Sequence, residues 1–207
     1  MYSQFLALMH KGGPIMWIIF AAACIAMIML IWQALRLISL TKSARNDYAG
    51  MRADRSFVPA RGKGSSGSPI TQLLQLMDWD EIESSEDMTK EMNIHLAEIM
   101  PRLEGGLPTV AIIGSLLPML GLLGTVTGMI NVFEVIAIHG SGKPDEMAHG
   151  ISQALLTTAS GLIIAIPVIF MHHLLSRRVD ALVTITGQTM QLIQHRDFNA
   201  FKRAAKP

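Results

Sequence analysis

Charge is what this sequence has least of. Only 16% of its 207 residues are Asp, Glu, Lys or Arg, where a soluble domain carries about 25%. The 17 basic and 16 acidic residues are also unevenly spread: none falls at positions 12–35, 105–133 or 147–176, runs of 24, 29 and 30 residues. Each run exceeds the roughly 20 residues a helix needs to cross about 30 Å of hydrocarbon. A soluble enzyme, a disordered chain and a disulfide-stapled secreted domain are thereby excluded, and an integral membrane protein with three spans is expected. Cysteine is almost absent. Cys24, alone in the first apolar run, has no partner in the chain, so a buried inert thiol is expected rather than a redox or metal role. Aromatic residues make up 6%, and no basic patch interleaved with them points to nucleic acid. The net charge of +1 conceals this pattern and identifies no partner.

Residues 14–35 form the first expected span, with Trp17 and Trp32 near its two interfaces. A signal peptide has an apolar core of about 7–15 residues. This run is longer and is followed by Arg36, so it reads as a retained anchor. In residues 1–13, Phe5, Leu6, Leu8 and Met9 suggest a short interfacial helix ended by Gly12, Gly13 and Pro14. The second span is expected at 105–138, a short loop at 139–147, and the third span at 148–176. Lys and Arg outside the spans number one before the first (Lys11), nine in 36–104, one in the loop (Lys143) and six from 177 onward. The positive-inside rule therefore places residues 36–104 and the tail 177–207 in the cytoplasm, with the N-terminus and the loop outside.

Within 36–104 a basic juxtamembrane stretch, placed to lie against anionic lipid, gives way to a Gly/Ser-rich flexible break at 61–68. Ser68 and Pro69 then read as N-cap and first residue of a helix. Acidic residues from Asp78 to Asp87 interrupt it. Met88, Met92, Leu96, Ile99 and Leu103 resume a 3.6-residue stripe expected to run straight into the second span. Leu175, Val179, Leu182, Thr186 and Ile193 continue a similar stripe after the third. Two membrane helices thus extend into the cytoplasm and pack together there, a structural role in packing and subunit contact.

The first span is Ile/Met/Ala-rich, as a simple anchor can be. The other two differ. Small residues at Gly114, Gly121, Gly124, Thr125 and Gly128 let a neighbouring backbone approach the second span, and Gly124/Gly128 is a GxxxG pair. Pro108 and Pro118 there, and Pro167 in the third span, interrupt backbone hydrogen bonding. The third span carries Ser152, Gln153, Thr157, Thr158 and Ser160 within nine residues. Gln153, Thr157 and Ser160 share one helical face, and Ala154, Thr158, Gly161 and Ala165 form an adjoining small stripe. Such a face must meet protein or water rather than lipid. Two chemistries fit it: interhelical hydrogen bonds, worth about 0.6 kcal/mol each, or a hydroxyl-lined passage for a hydrated ion or a proton carrier. A proton relay needs a titratable group in the membrane. Glu134 is the only acid in a span and lies near its outer end, while His149, His172 and His173 lie toward helix ends. If protons pass, the carboxylate comes from a partner chain.

Leu103 to Leu107, then Leu120 to Ile130 with Phe133, and finally Gly150 to Pro167 together resemble the ExbB/TolQ/MotA proton-channel family, closely over residues 90–195 and in layout over the whole chain. Three spans look like its ExbB and TolQ branches, ExbB foremost; motility stators of the MotA kind have four. The resemblance implies an all-α homopentamer in the bacterial inner membrane. It would enclose single helices of an ExbD-like or TolR-like partner whose Asp carries the proton. Work would reach the outer membrane through a TonB-like transducer, with a TolQ-like or motility stator role as the alternative. The family's pore threonines map onto Thr125 and Thr158. Where familiar members carry Glu in the third span, this chain has Gln153, which hydrogen-bonds but cannot titrate. Gln153, Thr157 and Ser160 are expected to line the passage with the two threonines. Gly121, Gly124, Gly128, Gly161, Pro118 and Pro167 are expected to set helix packing and kinks. No cofactor or metal is expected. A non-conducting membrane scaffold is the reading from a different class, and no nucleophile–base pair or phosphate loop suggests an enzyme.

Overall fold

The computed structural model describes residues 2–53, 67–79 and 82–194. The regular elements among them are helices: α1 (Tyr2–Ala53), α2 (Pro69–Leu76), α3 (Ser85–Glu104), α4 (Leu107–His139) and α5 (Pro144–Gln194), with one 3-10 turn at Gly140–Gly142. Most of the expected Gly/Ser-rich break, and the tail beyond residue 194, lie outside the described residues. The helices α1, α4 and α5 are each long and apolar enough to cross a membrane, so the charge-free runs predict the all-α class and its three candidate spans. The chain divides into two units, one from the described parts of 1–31 and 106–173, the other from those of 32–105 and 174–207.

In the first unit the buried positions of α4 include Leu107, Val110, Gly114, Leu117, Gly121, Gly124 and Gly128. Their steps alternate between three and four residues, the 3.5-residue repeat of helices that wrap around one another. The outer flank is also apolar, with Ile112, Met119 and Leu122 exposed. A helix apolar all round belongs in hydrocarbon. In α1, Met16, Ile19 and Ala26 are buried. Cys24, expected as a buried thiol, is instead exposed, because it falls on the far side of α1 from that seam. Gly13, at φ 69° and ψ −165°, breaks the helical geometry just before Pro14. The N-terminal stretch is thus joined to the span through a kink. At the start of α5, Asp145 and Glu146 occupy the first turn, where the helix dipole favours acids. Lys143, hydrogen-bonded to Glu146 at 2.7 Å, holds that carboxyl below its ordinary range.

In the second unit α1 remains helical through residue 53, which the basic composition of 36–53 did not suggest. Leu37, Leu40, Ala44 and Met51 are buried along it, so the apolar spacing outweighs the charges between. An apolar core joins Leu73, Ile82, Met88, Met92 and Ile99 to Met190 and Ile193 of α5. Ser68 caps α2 by accepting from the Thr71 N–H at 3.3 Å, and Pro69 takes the first helical position. The Ser68 and Thr71 hydroxyls both donate to the Asp47 carboxylate of α1.

The stripe from Met88 to Leu103 does not run straight on. It ends at Glu104, where Gly105 adopts φ 55° and its N–H donates to Pro101 O at 3.0 Å. Gln33 of α1, buried to 1% exposure, donates Nε2 to Leu103 O and Glu104 O, each at 3.0 Å. Those are last-turn carbonyls that a helix cannot pair within itself. A Cβ at position 105 would lie 2.6 Å from Gln33 Oε1, so backbone angle and neighbour both demand glycine. Gly105→Ala is expected to cost about 1–3 kcal/mol, read as a lowered unfolding temperature in detergent. Gly142→Ala, with nothing within 4 Å of its Cβ, is expected to leave that temperature unchanged.

Candidate functional site

The candidate site lies where α4 and α5 approach closest. A Cβ on Gly161 would stand 2.7 Å from Leu117 O and 3.1 Å from Gly121 Cα. One on Gly121 would stand 3.1 Å from Thr158 Cα, and one on Gly128 2.9 Å from Gly150 O. These are backbone-to-backbone contacts that only hydrogen can fill. Within lipid, apolar burial does not drive helices together, so dispersion across such a flat contact carries much of the association. On Gly124 a side chain would overlap Thr157, which is fully buried.

The hydroxyls on and beside this seam are committed to carbonyl oxygens. Thr158 Oγ1 donates across the seam to Gly121 O at 2.8 Å. Thr125 Oγ1 donates to Leu122 O at 2.6 Å, and Thr157 Oγ1 to Ala154 O at 2.9 Å and Gln153 O at 3.1 Å. A hydroxyl whose proton is already given away can still accept through its oxygen. Thr125 and Thr158, both half-buried, therefore offer acceptors to any visiting donor.

The face expected to hold Gln153, Thr157 and Ser160 together is divided. Thr157 turns into the α4 contact, whereas Gln153 and Ser160 are half-buried. The Gln153 amide packs where Gly13 of α1 lacks a side chain. The contact series on α5 is Gly150, Ala154, Thr157 and Gly161, so steric fit rather than polarity decides where Thr157 points. That 4-3-4 spacing was present in the sequence but was masked by the run of polar residues. The structure also adds Gly150, against Val132 and Gly128 O, and Gly13, which the sequence offered only as a helix stop. Both α4 and α5 continue through Pro118 and Pro167, Pro118 half-buried and Pro167 exposed. Glu134 is exposed, so no acid faces the threonines from the chain's own seam. On the outer flank of α5, Ala148, Ile151, Ser152, Leu155, Leu156 and Ala159 line a shallow groove, apolar but for one hydroxyl.

Three helices able to span a membrane, two of them joined through glycines and edged with hydroxyls, define a polytopic helical membrane protein with a polar seam. Residues 67–187, more than half of the chain, match the MotA/TolQ/ExbB proton channel family; the chain belongs to that family. It is 40% identical over 103 residues to the biopolymer transport protein exbB1 of Vibrio cholerae, covering 49% of this chain and 42% of that protein. It is 35% identical over 114 residues to the Tol-Pal system protein TolQ of Pseudomonas aeruginosa, covering 55% and 49%. To the biopolymer transport protein ExbB of Salmonella typhimurium it is 36% identical over 93 residues, covering 44% and 38%. The chain thus spans less than half the length of each of these relatives.

Gly161→Ala is expected to destabilise the helix pair by about 1–3 kcal/mol, because the added methyl meets backbone that cannot move aside. Gly187→Ala, elsewhere in α5 with nothing within 4 Å of its Cβ, is expected to be neutral or to stabilise by up to about 1 kcal/mol through helix propensity. Unfolding of both variants in mixed micelles, followed by circular dichroism, measures the difference.

Proposed function

We propose that this chain is an ExbB-like subunit of a proton-driven motor in a bacterial inner membrane. Residues 36–104 and the tail 177–207 face the cytoplasm, and residues 1–13 and the loop 139–147 face the periplasm. The extensions of α1 and α5 beyond the charge-free runs are then cytoplasmic. The chain assembles as a homopentamer around an ExbD-like single-span partner, and a TonB-like transducer passes the work to the outer membrane.

The observation that carries this reading is an asymmetry within the seam: hydroxyl oxygens free to accept, and no acid opposite them. Thr158 and Thr125 accept from a protonated carboxyl that the partner brings, and they help to solvate the proton it exchanges. Gln153 and Ser160 widen the polar path without titrating. Thr157, fully buried against Gly124, serves the packing instead. The shallow groove along α5 suits a second apolar helix. The chain performs no covalent chemistry, in keeping with a family of channels. A TolQ-like role is the second reading, favoured by the longer matched stretch of the Pseudomonas aeruginosa relative, 114 residues against 103.

Thr158→Val keeps the shape and removes the hydroxyl. The interhelical hydrogen bond it deletes is worth about 0.6 kcal/mol, too little to dismantle the assembly. Energised transport is expected to fall to the level seen with a proton uncoupler, while the complex still co-purifies. Normal transport in that variant, or wild-type transport indifferent to uncoupler, would contradict the pathway and favour a scaffold.

A further inference from the structure

The outward face of α1 in the second unit carries a basic stripe that no ion pair among the described residues neutralises. Leu35 and Ile38 are 65% and 66% exposed, and Lys42 and Arg45 are exposed below them. Positions 35, 38, 42 and 45 follow in steps of three and four, so they share one face, opposite buried Leu37, Leu40 and Ala44. Beside them the Arg36 guanidinium lies over the Trp32 ring, 5.6 Å from its centroid, an arrangement suited to a membrane interface.

Between Arg36 and Ala53 the only acid is Asp47. It turns inward, its carboxylate taken by the Ser68 and Thr71 hydroxyls that start α2. Among the described residues Lys42 and Arg45 form no ion pair. The fold has thus turned the one acid of this stretch of α1 off this face.

At 1.5 Å per residue, Lys42 lies about 6 Å and Arg45 about 10 Å beyond Ile38 along the helix. The polar layer of a leaflet is about 5–8 Å deep. With Ile38 at the edge of the hydrocarbon, the two basic heads stand at phosphate depth. We propose that this stripe binds one anionic phospholipid, its acyl chains along Leu35 and Ile38 and its phosphate between Lys42 and Arg45. Continuity of the apolar and basic patches on one face favours a lipid over an acidic protein, which would need no apolar half. The site narrows the lipid contact expected of the basic stretch to named residues, and it stands whether or not the chain drives protons.

The test uses the full chain in a zwitterionic detergent, titrated with phosphatidylglycerol, phosphatidylcholine or sodium phosphate while its unfolding temperature is followed. Phosphatidylglycerol is expected to raise that temperature and the other two are not. The Lys42→Gln/Arg45→Gln double variant is expected to unfold at the wild-type temperature without lipid and to need roughly 30-fold more phosphatidylglycerol. An unchanged response in the variant, an equal response to phosphatidylcholine, or a full response to sodium phosphate would each overturn the site. So would efficient disulfide dimerisation in membranes of a Cys24→Ser/Lys42→Cys chain, because a second copy would then cover the face.

Discussion

The structure depends on side chains that are missing. Where Gly121, Gly128, Gly150 and Gly161 bring α4 and α5 together, a single methyl would already meet backbone atoms. Larger residues would hold the helices apart and separate Thr158 from the Gly121 carbonyl to which it donates. Close approach and hydroxyl placement are therefore one constraint. The same glycines that let the helices touch also bring up the carbonyl on which the Thr158 proton is spent. In a membrane, where apolar burial does not drive association, that fit carries unusual weight.

A second consequence concerns electrostatics. Because the Thr125, Thr157 and Thr158 hydroxyls donate to the chain's own carbonyls, they are left as acceptors, and the charge-free stretches of α4 and α5 around them contain no acid. A polar path that accepts and cannot titrate is incomplete for proton transfer. Under the proposed function the titrating donor comes from outside the chain.

Much of this was legible in the sequence. Charge-free runs marked the three helices long and apolar enough to cross a membrane, and a Ser-Pro pair located the start of α2. The small stripe of the second span marked the seam, because glycine spacing in a helix says which face can be approached. Other features were hidden for physical reasons. The helix through 36–53 was masked by its surface charges, although its buried Leu37, Leu40 and Ala44 keep the same repeat as the span before it. The stop after Glu104 depends on Gln33, some 70 residues away, supplying donors to orphan carbonyls; no local pattern reveals that. Thr157 looked polar and so suited to a passage, yet in this chain it is fully buried and its hydroxyl donates to its own helix, which local spacing alone does not show.

The most direct test of the central claim, that the chain supplies acceptors and a partner supplies the titrating acid, is proton flux across liposomes. The flux is measured with the chain alone and with the chain co-reconstituted with a single-span partner bearing one intramembrane Asp. The account predicts flux only when both are present, and its loss when that Asp is changed to Asn. Equal flux from the chain alone, or undiminished flux with the Asn partner, would contradict it.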